Sequence, residues 1–137
     1  RNYSSGDNAV WYMDGASQLG YDYFPALADL NWQINAVDDF NADGKPDLVW
    51  RNYASGDNAV WYMDNVTQLS YDYFPALGDI NWQITGTGDF NTDDKPDLLW
   101  RNGATGDNVV WYMDDTNRLG YEYFPVLPGE DWRLVGR

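Results

Sequence analysis

The chain has 137 residues, 22 acidic against 8 basic side chains for a formal charge of −14, 18% aromatic residues, and neither cysteine nor histidine. That length is enough for one domain with a real core, and eight Trp and eleven Tyr are far more than a disordered acidic tail carries. The charge argues against nucleic acid and anionic membranes as partners, the missing histidine excludes Ser-His-Asp and Cys-His catalysis and the usual zinc sites, and no apolar run is long enough to span a bilayer as a helix.

Residues 1–50 and 51–100 align without a gap and agree at 36 of 50 positions, and residues 101–137 begin a third copy. A period of this size belongs to propellers and solenoids. The chain is therefore read as one segment, 1–137, of three units, the third incomplete. Gly6 to Asp14 holds the first copy of a Gly-Asp-Asn-x-Val-Trp-Tyr-Met-Asp segment that returns at 56–64 and 106–114.

Four strand-like stretches recur per unit, separated by turn signals. In the central copy, Trp32 to Val37 alternates with Trp32, Ile34 and Ala36 on one side. Asp47 to Asn52 follows and is stopped by the turn cluster Ser55-Gly56-Asp57-Asn58. Ala59 to Met63 carries bulk on both faces, which suits a strand held between two neighbouring sheets. Leu69 to Phe74, ended by Pro75, has a Tyr-Asp-Tyr alternation that reads as an outer strand partly in water. No stretch keeps the helical spacing through two turns. The fold class is all-β: propeller blades of four antiparallel strands at a 50-residue repeat, about three per chain and permuted at the termini.

Between the first two strands lies Asp39-Phe40-Asn41-Ala42-Asp43-Gly44-Lys45-Pro46-Asp47, repeated as Asp89-Phe90-Asn91-Thr92-Asp93-Asp94-Lys95-Pro96-Asp97. A hard dication needs six to eight oxygens, and acidic or amide side chains at alternate positions of a tight loop supply them. The expected calcium ligands are Asp39, Asn41, Asp43 and Asp47, with Lys45 giving its backbone carbonyl and keeping its amine in water. The second set is Asp89, Asn91, Asp93, Lys95 and Asp97. Two bound calcium ions would bring the charge from −14 to −10. Position 6 should have a positive φ, which Gly44 adopts freely and Asp94 only at a cost, so the second loop is expected to bind more weakly. An Asx-rich turn without metal is the alternative. An EF-hand is a poor fit, because Trp50 and Trp100 stand where its last Glu belongs and a strand follows the loop.

Asp39 to Asn52, preceded by Trp32-Gln33-Ile34, resembles the FG-GAP or VCBS-type repeat of bacterial surface and secreted proteins, related to the integrin alpha-subunit propeller. The resemblance implies a calcium-stabilised propeller, secreted or on the cell surface, used for adhesion or recognition; some relatives are lectins that bind sugars between blades. Two departures stand out: Asp94 replaces the loop glycine, and Asp38 stands where the second copy has Gly88. Arg1 aligns with Arg51, and Gly136-Arg137 with Gly86-Thr87, so the chain is expected to start inside one blade and stop after the first strand of another. It then belongs to a longer array or pairs with other copies of itself, most simply as a dimer forming a six-bladed ring.

The eight Trp (11, 32, 50, 61, 82, 100, 111 and 132) are read as blade core rather than sugar platforms, with alternation supporting burial of Trp32, Trp50 and Trp61. Exposed contacts to a ligand are expected instead from Tyr21, Asp22, Tyr23, Tyr71, Asp72, Tyr73, Tyr121, Glu122 and Tyr123, although a solvated outer strand is the blander reading. Arg1, Arg51 and Arg101 are expected to pair with Asp14, Asp64 or Asp114. No catalytic residue is expected: the paired carboxylates that glycoside hydrolysis requires lie in the metal loops, and near-identical repeats do not give an acid and a base unlike environments. The leading function is a non-enzymatic, calcium-stabilised module for extracellular recognition or adhesion, with a glycan the foremost ligand. The alternative is a structural building unit whose blades mainly contact other blades.

Overall fold

The computed structural model describes residues 1–126; Trp132 and the Gly136-Arg137 end of the expected first strand of the next unit lie outside them. The described residues form ten strands and no helix. They are β1 (Asn8–Asp14), β2 (Ser17–Phe24), β3 (Trp32–Asp38), β4 (Asp47–Asn52), β5 (Asn58–Asp64), β6 (Thr67–Phe74), β7 (Trp82–Gly88), β8 (Asp97–Asn102), β9 (Asn108–Asp114) and β10 (Asn117–Phe124).

Three antiparallel sheets result. The first holds only β1 and β2; the second runs β3-β4-β5-β6 and the third β7-β8-β9-β10, each a meander in chain order. The central strands β5 and β8 are buried on both faces, as their two-sided bulk requires, whereas β6 and β10 are mostly exposed edges.

Two apolar layers explain that burial. Ala36, Val49, Val60, Tyr62 and Phe74 of the second sheet, with Phe40, pack on Trp82, Ile84, Leu98, Trp100, Trp111 and Met113 of the third. On its other side the second sheet presents Trp50, Ala59, Trp61 and Met63, with Trp32 and Ile34, to Phe24 and Leu27 of the first repeat. The sheets stack face to face, each serving as the other's core.

Two features depart from strict alternation. Ile34 pairs with Trp50 but Ala36 with Val49, so Asn35 is a bulge and Ala36 lies on the face opposite Trp32 and Ile34, not with them. A second bulge leaves Leu69 without a partner, since Tyr62 pairs with Ser70 and Met63 with Gln68. Thr85 and Leu119 occupy the same places in the third sheet.

Trp11 also departs from the core reading. It is 64% exposed, whereas its equivalents Trp61 and Trp111 are 8% and 3% exposed. Nothing among the described residues covers that face of β1.

Candidate functional site

On one face of each complete sheet, against the preceding linker, the repeat builds an aromatic cleft. In the second sheet it is lined by Trp32, Ala59, Trp61, Gln68, Tyr71 and Tyr73, with Leu27 arriving from the preceding linker, around a volume of about 180 Å³. The third sheet repeats it with Trp82, Val109, Trp111, Arg118, Tyr121, Tyr123 and Leu77, at about 240 Å³.

Pairing explains why these residues meet. Tyr71 lies opposite Trp61 and Tyr73 opposite Ala59, so both tyrosines share a face with the tryptophan. Gln68 would fall on the other face by parity; the Leu69 bulge turns it onto the face of Tyr71. Tyr71 and Tyr73 meet edge to face at 5.8 Å, and Tyr73 lies 6.5 Å from Trp32. The corresponding distances in the third sheet are 6.0 Å and 6.3 Å. Tyr21 and Tyr23 keep the same edge contact at 5.7 Å in the first sheet, where Trp11, Ala9 and Tyr23 line a more open groove with Arg1, Asn2, Asp7 and Asn8.

The Tyr-acid-Tyr triplets therefore divide. The tyrosines line the clefts, but the acids between them point to the opposite face: Tyr12 donates to Asp22 at 3.0 Å, Tyr112 to Glu122 at 2.8 Å, and Thr116 to Asp72 at 3.4 Å. Hydrogen bonding to Glu122 pushes the Tyr112 phenol up. Trp32, Trp61, Gln68 and Arg118, absent from the expected contacts, complete the clefts; the period-two pattern places the tryptophans, but the bulge hides the other two.

The acidic loops are organised by their own backbone. Asp39 and Asn41 both accept from the Asp43 N–H, at 3.1 and 3.0 Å, Asp39 also accepts from Gly44 at 2.7 Å, and Asp43 accepts from Lys45 at 2.9 Å. The second loop repeats these bonds through Asp89, Asn91 and Asp93. Position 6 has the expected positive φ, 82° at Gly44 and 63° at Asp94, and position 4 shares it, 59° at Ala42 and 64° at Thr92.

Asp47 and Asp97 have a different setting. Both are fully buried; Asp47 accepts from Phe40 and Met63 at 3.0 Å each, and Asp97 from Phe90 and Met113 at 2.9 Å. Burial pushes both carboxyls up, and the nearby carboxylates of Asp43 and Asp39, or Asp93 and Asp89, add to this against the pull of the N–H donors.

Among the described residues no three acidic side chains gather into a ready-made metal cage. The donor set nevertheless suits a hard cation. Asp39, Asn41 and Asp43 turn oxygens toward shared N–H groups inside the loop, and a carboxylate with about four lone-pair sites that accepts two N–H bonds retains two more.

The cations pair differently from expectation. Lys45 and Lys95 reach Asp64 and Asp114 at 3.0 and 2.6 Å rather than leaving their amines in water. Arg51 instead donates to the carbonyls of Gly56, Leu77 and Asp79 and to Asn58, while Asp64 is taken by Lys45. Arg1 makes the same set with Gly6, Leu27, Asp29 and Asn8.

Residues 39–100 match the family model of the FG-GAP-like repeat. No curated protein and no solved structure matches the chain. The repeat is one typical of extracellular proteins, and among the described residues no helix is long and apolar enough to cross a membrane.

Proposed function

We propose that this chain, whose residues 39–100 match the FG-GAP-like repeat, is a non-enzymatic, calcium-stabilised module for extracellular recognition whose ligands are carbohydrates held in the aromatic clefts on the sheet faces. The observation that carries the reading is the duplicated cleft. Two tryptophans and two exposed tyrosines recur in the same geometry in both complete sheets. Aromatic faces suit the apolar C–H side of a pyranose, while the phenol hydroxyls and Gln68 offer hydrogen bonds at the rim. The clefts are smaller than the roughly 300–1,000 Å³ of sites for drug-sized ligands, which matches a single sugar ring.

Calcium supplies a cationic centre for each loop when bound. Asp39, Asn41 and Asp43, or Asp89, Asn91 and Asp93, would hold it, with the buried Asp47 or Asp97 and the Lys45 or Lys95 carbonyl as further oxygens. Because these loops join the first and second strands of a sheet, an ion there would fix the start of β4 or β8.

Two measurements test the reading together. Binding on a glycan array should be retained with calcium and reduced by chelation, and chelation should lower the melting temperature. An array without binders would remove the carbohydrate claim, and an unchanged melting curve would remove the calcium claim.

A second reading, a building unit of a larger surface assembly, is favoured by the open outer faces. Phe90 is 46% exposed where its equivalent Phe40 is 4% exposed, and Trp11 and Met13 are uncovered at the other end. Concentration-dependent sedimentation in the absence of glycan binding would support that reading over the first.

A further inference from the structure

Gln18, Gln68 and Arg118 occupy one position of the repeat, so the third sheet places a cation where the other two copies carry a neutral amide. The bulge at Leu119 turns Arg118 onto the face of Trp111 and Tyr121. Its guanidinium carbon lies 4.5 Å from the Trp111 ring centre and 5.6 Å from that of Tyr121, on the wall of the third-sheet cleft. Gln68 holds the same place on the wall of the second-sheet cleft.

Arg118 is exposed, and no hydrogen bond or ion pair engages it among the described residues. The two acids nearest before it in sequence are engaged elsewhere: Asp115 accepts from the Tyr62 hydroxyl and Asp114 pairs with Lys95. Glu122 points to the opposite face, where it accepts from Tyr112. The guanidinium is thus held against two aromatic rings with its planar fork of N–H donors unused, an arrangement suited to a bidentate anion. In a chain of charge −14 general attraction of anions is absent. Only a ligand that sets its charge directly on this group gains from it.

We infer that the third-sheet cleft selects acidic saccharides, carboxylated or sulphated, whereas the Gln68 cleft takes neutral ones. The inference rests on the carbohydrate reading above and adds the ligand class and the residue that sets it. The aromatic walls hold the ring in both clefts; Arg118 discriminates by the charge at the rim.

The test uses the whole chain against an immobilised panel in which each oligosaccharide is present in its carboxylated or sulphated form and in its methyl-esterified or desulphated form. At low salt the native protein should prefer the charged members by about two- to fivefold, the range of an exposed ion pair, and lose the preference as salt screens it. Arg118→Gln, which puts in the residue two other copies already accommodate, should lose the preference. Arg118→Lys should retain part of it, and Gln68→Arg should strengthen it. Equal binding of both forms by the native protein, or a preference that survives Arg118→Gln, overturns the selectivity while leaving carbohydrate binding intact. Binding of no member of either form overturns both.

Discussion

The guanidinium carbon of Arg51 sits 5.1 Å from the ring centre of Trp100, in the next sheet, while its nitrogens hold the linker carbonyls of Leu77 at 2.9 Å and Asp79 at 3.1 Å. One side chain at the end of β4 thereby ties its own turn, the linker and the neighbouring sheet. Arg51→Lys retains the charge but gives one compact ammonium in place of a fork, so it cannot reach all four acceptors. Carbonyls left without donors cost about 1–3 kcal/mol each when buried. The expected loss is about 2–4 kcal/mol in a urea melt, and a midpoint equal to that of the native chain would show that the clamp is not a source of stability.

Gly56 meets the same linker from the other side. Its φ is +81°, its carbonyl accepts from Leu77 at 2.9 Å, and a Cβ built on it would collide with the Leu77 carbonyl oxygen. Gly15 also has a positive φ, +57°, but open space where its Cβ would be. Gly15→Ala should therefore cost only the left-handed backbone penalty of about 1–2 kcal/mol, and Gly56→Ala clearly more, because linker backbone must move. Equal costs in parallel thermal melts would mean that the linker yields freely.

Much of the fold is legible in the residues because sheets buried on both faces leave a plain pattern. Val60 and Tyr62 on one side of β5, and Ala59, Trp61 and Met63 on the other, announce two neighbours. What parity hides is the bulges. One extra residue at Asn35 sends Ala36 to the opposite layer, and one at Leu69 brings Gln68 into the cleft. The partners of Arg51 were hidden for another reason: they are backbone carbonyls of a linker 26 and 28 residues on, which carry no side-chain signal. The loop positions 39–47 stand out by spacing, yet Asp47 is also a buried acceptor, for Phe40 of the loop itself and for Met63 of β5.

The two loops offer a comparison within one chain. Asp94 and Thr92 both hold positive φ where the first loop has Gly44 and Ala42, and a β-branched residue tolerates that region worst. Asp94→Gly should stabilise the chain by up to about 1 kcal/mol, and Thr92→Asn should also raise the melting temperature. Both substitutions keep Asp89, Asn91, Asp93 and Asp97, so calcium titration by calorimetry should show the second loop unchanged or tighter. Weaker binding in Asp94→Gly would mean that the extra carboxylate, and not the backbone strain, governs that loop.

Two linker aspartates give part of the stability a dependence on pH. Backbone hydrogen bonding from Asn81 leads in holding the Asp79 carboxyl below its ordinary value of 3.8, assisted by the Asn81 and Asn102 amides, and Asp29 repeats this with Asn31 and Asn52. A group with a lowered folded pKa stabilises above its unfolded value and ceases to do so as the pH falls through the folded one. Asp79→Asn should therefore be less stable than the native chain at neutral pH, with the gap closing below the ordinary carboxylate range. Asp47 and Asp97, raised by burial, have the opposite slope: without a bound cation their contribution is lost as the pH rises above the ordinary carboxylate value through their raised folded ones. A gap between native and Asp79→Asn that stays constant down to acid unfolding would rule out the linker as its origin.

Trp11 and Trp61 occupy identical surroundings in sequence, Ala-Val-Trp-Tyr-Met, yet one is 64% and the other 8% exposed. Local pattern cannot cause that difference; it comes from the β4 strand and the Trp50 ring, 4.7 Å from Trp61, which have no counterpart over β1 among the described residues. Trp61→Ala should cost about 3–5 kcal/mol, as removal of a packed aromatic does, whereas Trp11→Ala should change stability by about 0.5 kcal/mol or less, as an exposed substitution does. The comparison is made at low micromolar and again at high protein concentration. A large cost for Trp11→Ala that grows with concentration would show that another copy of the chain covers the open face, the expectation of the ring reading. A large cost independent of concentration would mean that the face is covered within the chain itself, and the exposed setting of Trp11 would then be wrong.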